Sequence, residues 1–258
     1  MRIIVPVKQL PDLVEEFELD SSGTDIDREF LKFVPNEWDD QALEEALLIK
    51  EAVGGEVVVV GLDEPDVDQS LYTAIARGAD SAVKLTGTGE GWLSTHARAE
   101  ILGAWLAGQE YDLVITGVQA ADDLDGQLAS VLAARLGMPH AAVVVSVEVK
   151  DGTIAVSQEL GGGVVGESEI RLPAVIGMQT ARQAPRYAPI TRIRQAMQAG
   201  GLQSVAASEP SSAWPGGMTV RRIYPPEKAG HAEMLAGSPG DVADKIIELL
   251  RARGLVKA

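Results

Sequence analysis

Hydrophobic positions over residues 1 to about 140 alternate between two periods. Short β-branched runs, Ile3 to Val7, Val57 to Leu62, Ala82 to Leu85 and Leu113 to Thr116, are separated by longer segments of helical period. Trp38, Ala42, Leu43, Ala46, Leu47 and Val53 place one apolar stripe on a helix that ends at Gly54-Gly55, and Val67, Leu71, Ala74 and Ile75 form the next, closed by Gly78. Ile101, Leu102, Trp105 and Leu106 mark a third helix, and Leu124, Leu128, Val131, Leu132 and Leu136 a fourth that runs up to Gly137. Val57 to Leu62 is apolar at every position, as a strand covered on both faces requires. This alternation is the sequence form of βαβ units and predicts an α/β fold with a doubly wound, mostly parallel sheet.

After Pro139 the texture changes. Ala142 to Val149, Thr153 to Glu159 and Val164 to Leu172 are β-rich and separated by Asp151-Gly152 and Gly161-Gly162-Gly163, which favour antiparallel hairpins. A β-hairpin appendage at about 141–172 is therefore expected, with Ala174 to Ile176 returning to the core as a strand. Residues 177–230 show no sustained period, which predicts an arm or loop that packs on something else. Val242, Ile246, Leu249 and Leu250 form a last short amphipathic helix. The expected organisation is an α/β domain over 1–200 and an extended C-terminal arm with a short helix over 201–258.

Composition narrows the function. The chain has 258 residues, 46% apolar and 23% charged, as ordinary globular domains do. Its 22 Lys and Arg against 38 Asp and Glu give a formal charge of −16, which argues against nucleic acid as a partner. No window approaches the roughly 18 uninterrupted apolar residues of a membrane helix, and MRIIVPVKQL runs directly into a strand pattern, so no membrane insertion and a cytoplasmic location are expected. The absence of cysteine excludes disulfides, thiolate nucleophiles and cysteine metal sites. His96, His140 and His231 are not at metal spacing, so no metal site and no catalytic residue of its own are expected. Charge is also uneven: thirteen acids and only Arg28 and Lys32 as bases lie between Asp12 and Glu45. Arg171 to Ser208 holds no acid and five arginines, Arg171, Arg182, Arg186, Arg192 and Arg194. A basic segment on an acidic body suits docking of an acidic partner, and it equally suits a loop whose arginines pair with nearby acids.

Familiar chemical motifs are missing. TGTGEGW, with Gly87, Gly89 and Gly91, has GxGxG spacing without an acid about 20 residues on, so it reads as a loop rather than a dinucleotide fingerprint. GxxxxGK[ST] and GxSxG do not occur. Adjacent acids such as Glu44-Glu45 point apart on a helix, which removes a glycosidase-type dyad. The stretch after the fourth strand, TGVQAADDLDGQLASVLA, stands apart. In an open parallel sheet, ligands sit beyond the carboxyl ends of the strands, where a helix N-terminus offers unpaired N–H groups to an anion. Gly117 permits close backbone approach, Asp122, Asp123 and Asp125 can cap the turn, and the amides of Gly126, Gln127, Leu128 and Ala129 would face a phosphate. The same residues also read as an ordinary Asp-rich helix start, with three carboxylates that repel phosphate unless they point away or hold a ribose. The loop alone leaves both readings open.

VKQLPD at 7–12, NEWDDQALEEAL at 36–47, GVQAADDLDGQ at 117–127, LPAVIGMQTARQAPRY at 172–187 and PPEKAG at 225–230 change this. In order, they resemble the VKxVPD, NPFDxxAVEEAL, GKQAIDDDxNQ and LPAVVTxDxxxNEPRY segments and the tail of the β subunit of electron transfer flavoproteins. The resemblance runs across nearly the whole chain. It implies a Rossmann-like, adenine-nucleotide-binding fold, a partner α subunit that holds most of the redox FAD, and AMP, or a second FAD in the same site, bound by this chain. Pro6, Asn36, Glu37, Trp38, Asp39 and Leu62 would line that pocket with the loop Gly117 to Leu128, including Gln119, Asp122, Asp123, Asp125, Gly126 and Gln127. Pro6 and Leu62 would act through backbone groups. Leu13 falls where the family brings a side chain near the partner's flavin ring. Residues 178–197, within the loop at about 177–198, correspond to the segment that anchors an acyl-CoA dehydrogenase-type partner, and the C-terminal arm would pack on the α subunit.

The implied function is electron carriage in fatty acid oxidation, from such dehydrogenases through FAD toward a quinone-linked acceptor, with the flavin supplying the chemistry. Leu128 and Ala129 replace the family's usual Thr/Val and Gly, Gln183 and Ala184 replace Asn-Glu, and QAMQAG at 195–200 lacks the lysine cluster that often follows. Rival readings are an electron-bifurcating relative with a second FAD, a structural subunit with a decayed nucleotide site, and a stress-type ATP-binding protein on the same fold. The last needs an SGGxDS loop or a glycine-spaced phosphate loop, and neither occurs.

Overall fold

Apolar runs bounded by glycine and aspartate turns form the strands and helices in the order the periods predict, and the computed structural model describes residues 1–14, 16–88, 91–123, 126–208, 220–225 and 232–256. In chain order the elements are β1 (Arg2–Val7), β2 (Gln9–Pro11), β3 (Phe33–Pro35), α1 (Glu37–Val53), β4 (Glu56–Leu62), α2 (Val67–Arg77), β5 (Ser81–Thr86), α3 (Thr95–Leu106) and β6 (Leu113–Gly117). There follow α4 (Leu128–Leu136), β7 (His140–Lys150), β8 (Thr153–Glu159), β9 (Val165–Arg171), β10 (Ala174–Met178), α5 (Ile190–Ala199), β11 (Leu202–Ala206) and α6 (Pro239–Ala252). Met1–Ile223 form one compact unit and Tyr224–Ala258 a second.

The main sheet has nine strands in the order β11-β5-β4-β1-β6-β10-β7-β8-β9. Pairing is parallel from β11 to β7, and β8 and β9 continue it as antiparallel strands. This is the doubly wound α/β sheet with its hairpin appendage. One face buries Ile3, Val5, Val59 and Ile115 against Ala42, Leu43 and Leu47 of α1 and Leu71 of α2. The other buries Ile4, Val60 and Val114 against Leu102 and Leu106 of α3 and Leu132 of α4. Each such Leu or Ile contributes about 2 kcal/mol relative to exposure. Where β7 leaves the parallel sheet its register slips, and Val143 takes φ +57, a strained value for a β-branched residue.

Two elements lie where no period is evident. Within 177–230, α5 buries only Ala196, and β11 pairs in parallel with β5 at the sheet edge. Both are short and mostly exposed, so burial imposes little pattern on their sequences. The tail segment PPEKAG lies outside the described residues after Pro225. In the second unit, α6 starts at a capping box in which Ser238 accepts from the Asp241 N–H and Asp241 accepts from the Ser238 N–H.

Candidate functional site

Strand order reverses at β1, with β4 and β5 on one side and β6 and β10 on the other, so the crossovers leave a crevice at their carboxyl ends. After β1 the chain leaves the sheet, returns through β3 paired with β2, and begins α1 beside its point of departure: the Asn36 N–H donates to the Lys8 carbonyl at 2.9 Å. Asp39, buried in the first turn of α1, spans the crevice. Its Oδ2 accepts the Lys8 N–H at 2.9 Å and its Oδ1 the Gly117 N–H at 3.1 Å. Burial pushes its carboxyl up to about 7, against the Asn36 amide and the Gly117 N–H, which pull it down. Gly117 is required by the approach of α1. A Cβ there would lie 2.5 Å from Asp39 Oδ1 and 2.8 Å from the Trp38 carbonyl carbon.

Pro6, Asn36, Asp39, Leu62, Gly117, Gln119, Asp123 and Leu128 line one narrow cavity in this crevice. Asn36 is the N-cap of α1 yet makes no side-chain cap. Its Nδ2 instead donates to the Gln119 carbonyl at 2.9 Å, and its buried Oδ1 has no partner among the described residues. At the rim, α4 starts from Gln127, whose side chain makes no cap, so among the described residues its first-turn amides lack one conventional acceptor. Gly126, just before, has φ +58, as the turn into α4 demands.

Lys8, Thr95 and Arg98 also line the cavity, and sequence reasoning missed them. Lys8 Nζ pairs with Asp122 Oδ1 and, at 3.0 Å, with Asp123 Oδ1. The two aspartates therefore point at a buried cation. Trp92 Nε1 pins the same turn through the Asp122 carbonyl at 3.0 Å, and Arg98 pairs with Glu64. With Asp122 and Asp123 folded over Lys8, the cavity offers about 20 Å³, room for roughly one water. The one trace of Lys8 in the sequence is the Asp122-Asp123 pair it joins, 114 and 115 positions away.

Not every predicted site residue converges there. Glu37 is exposed, Trp38 contributes backbone beside Gly117 and is absent from the cavity wall, and Gln127 is exposed at the α4 cap. Asp125 lies outside the described residues, as do Leu124, Gly89 and His231. Leu13, 66% exposed, lines a separate apolar groove of about 430 Å³ with Leu10, Pro11, Phe17, Ile26 and Trp92. Asp122 borders that groove as well, so one turn forms a wall of both.

The basic segment divides into two parts. Arg182 and Arg186 are spent on α1: Arg182 Nε meets buried Glu45 at 2.7 Å, and Arg186 meets buried Glu44 at 2.8 Å and exposed Glu51 at 2.5 Å. The Glu44 and Glu51 carboxylates raise the Arg186 pKa further above its ordinary value. Pairing with local acids is thus the correct reading for these two. Arg192 and Arg194 of α5 make no ion pair among the described residues. Among those residues there is also no group of three or more His, Asp or Glu placed to hold a metal, and no helix long and apolar enough to cross a membrane.

The chain resembles known proteins in sequence. The chain matches the electron transfer flavoprotein domain over residues 25–210. It is 37% identical to the electron transfer flavoprotein subunit beta of Methylophilus methylotrophus, over 97% of this chain and 98% of the relative. It is 30% identical to the subunit of that name from Dictyostelium discoideum, over 77% and 79% of the two chains. Likewise, it is 30% identical to the caffeyl-CoA reductase-Etf complex subunit CarD of Acetobacterium woodii, over 99% of this chain and 100% of the relative. The domain match over most of the chain and these near full-length likenesses place the chain, with its crevice at the switch point of a doubly wound sheet, in the electron transfer flavoprotein family as a β subunit.

Proposed function

We propose that this chain pairs with an α subunit that holds most of the redox FAD, and that the pair carries electrons from acyl-CoA dehydrogenase-type donors toward a quinone-linked acceptor. In this reading the β chain binds AMP at the crevice between β1 and β6, braces the flavin with the groove around Leu13, and has no catalytic residue of its own. The observation that carries the nucleotide assignment is Asn36: a helix-capping residue that leaves its helix uncapped, lines the cavity and, among the described residues, keeps a buried Oδ1 without a partner. Adenylate has N–H and O–H donors for that oxygen, and its phosphate suits the uncapped start of α4. Asn36 and Leu128, the first residue of α4, line the same cavity. Entry requires Asp122 and Asp123 to swing away from Lys8, which then faces the anion. FAD supplies the electron-transfer chemistry when bound; this chain orients, covers and sets charge around it.

Co-expression with the matching α subunit is expected to yield a yellow heterodimer whose flavin is reduced by a purified acyl-CoA dehydrogenase and its substrate. A colourless, monomeric β chain would overturn the proposal. A second reading, in which this chain holds a second FAD at the same adenylate corner in an electron-bifurcating assembly, is favoured by the full-length likeness to a subunit of a caffeyl-CoA reductase-Etf complex. Two FAD per heterodimer, with no AMP, would select it.

A further inference from the structure

We infer that Gln41, Glu44 and Glu45 of α1 are positioning residues for partner docking: they clamp residues 181–186 and thereby set the surface that α5 presents. The inference rests on the electron donor proposed above and on the docking of that donor at residues 178–197 that the family resemblance implies. The three side chains occupy i, i+3 and i+4 of one helix and so share a face. Each receives a backbone amide from a segment without secondary structure: Ala181 N–H to Gln41 Oε1 at 3.0 Å, Arg182 N–H to Glu45 Oε2 at 3.0 Å and Arg186 N–H to Glu44 Oε2 at 2.9 Å. Each glutamate also takes the guanidinium of the residue whose amide it holds, Arg182 Nε to Glu45 Oε1 at 2.7 Å and Arg186 Nη2 to Glu44 Oε1 at 2.8 Å. Glu44 is 3% exposed and Glu45 0%, so the segment completes the solvation of two carboxylates that water does not reach.

Such a clamp fixes a stretch that otherwise lacks ladder partners for its amides. Immediately beyond it Tyr187, 84% exposed, and Ile190, 60% exposed, line one groove with Arg194, and Arg192 is exposed on the same helix. Exposed apolar anchors with cations that make no ion pair among the described residues, in a stretch of sequence without an acid, fit an acidic protein surface. Holding that surface in place before encounter removes ordering that binding would otherwise have to supply. The clamp therefore acts on the affinity for the electron donor and leaves the flavin chemistry alone.

The test uses the αβ heterodimer carrying Glu44→Gln with Glu45→Gln, and separately the milder Gln41→Ala, with Arg192→Glu as a docking control. Hydrogen exchange over 181–199 and steady-state electron transfer from a purified acyl-CoA dehydrogenase are measured at equal FAD content. Exchange at 181–186 is expected to rise about tenfold in the glutamate variant and less in Gln41→Ala. The KM for the dehydrogenase rises several-fold at unchanged kcat, whereas Arg192→Glu raises KM without changing exchange. Unchanged exchange in both clamp variants overturns the inference. Faster exchange with unchanged KM also overturns it when Arg192→Glu still raises KM. If Arg192→Glu leaves KM unchanged too, the docking role of α5 is what fails.

Discussion

Asp39 joins the amide that follows β1 to the amide that ends β6, so it is the residue on which the shape of the crevice turns. Asp39→Ala orphans two buried N–H donors at about 1–3 kcal/mol each, a loss that urea unfolding would read directly. Its titration gives a second handle. The folded protein holds the Asp39 proton up to about pH 7, against an ordinary value of 3.8. The folded state thus binds more protons in that window, and the stability linked to this group is full at the acidic end and lost as pH rises to about 7. In Asp39→Ala this component of the pH dependence disappears, and an unchanged profile would count against the assignment. Gly117→Ala drives a Cβ into Asp39 Oδ1 and the Trp38 backbone, and overpacking of this kind costs about 1–3 kcal/mol, seen as a lowered unfolding midpoint. At this scale the sequence pointed to Asn36, Asp39 and Gly117 but not to Lys8. A single lysine after a strand carries no pattern, and its partners Asp122 and Asp123 lie 114 and 115 positions away.

Helices and strands with a buried face were legible because burial imposes a period. Val57 to Leu62 and the stripe from Ala42 to Leu47 each fill the core and read accordingly. In α5 and β11 only Ala196 is buried, so neither leaves such a trace. The Glu44-Glu45 pair illustrates the opposite failure. In the sequence the two adjacent acids read only as side chains that point apart; their burial is decided by arginines 142 and 137 positions further on. Removing one partner strands a buried charge, so Arg182→Ala is expected to destabilise the fold by about 3 kcal/mol, a cost that Glu45→Gln in the same chain would largely relieve. The outward-facing part of the basic segment has a different signature. If Arg192 and Arg194 steer an acidic donor, Arg192→Glu with Arg194→Glu slows electron transfer more at low than at high ionic strength in stopped-flow mixing. Equal slowing at every salt concentration would mark them as structural.

For the whole molecule, the doubly wound sheet and its hairpin follow from the alternation of periods, and the position of the crevice follows from the sheet order. Its chemistry does not, because the cavity gathers residues from β1, the start of α1, β4, α3 and the turn after β6. Among the described residues Asn36 in the cavity wall keeps a buried Oδ1 without a partner, and α4 begins beside the cavity without a side-chain cap; these are the two features the proposed adenylate would meet. The most direct check is mass analysis of the small molecules released when purified heterodimer is denatured, run on the wild type and on Asn36→Ala. Bound AMP and FAD in equal amounts from the wild type, with AMP depleted and FAD retained in Asn36→Ala, is the expected result. A well-folded heterodimer that releases a single FAD and no further adenine nucleotide would contradict the account.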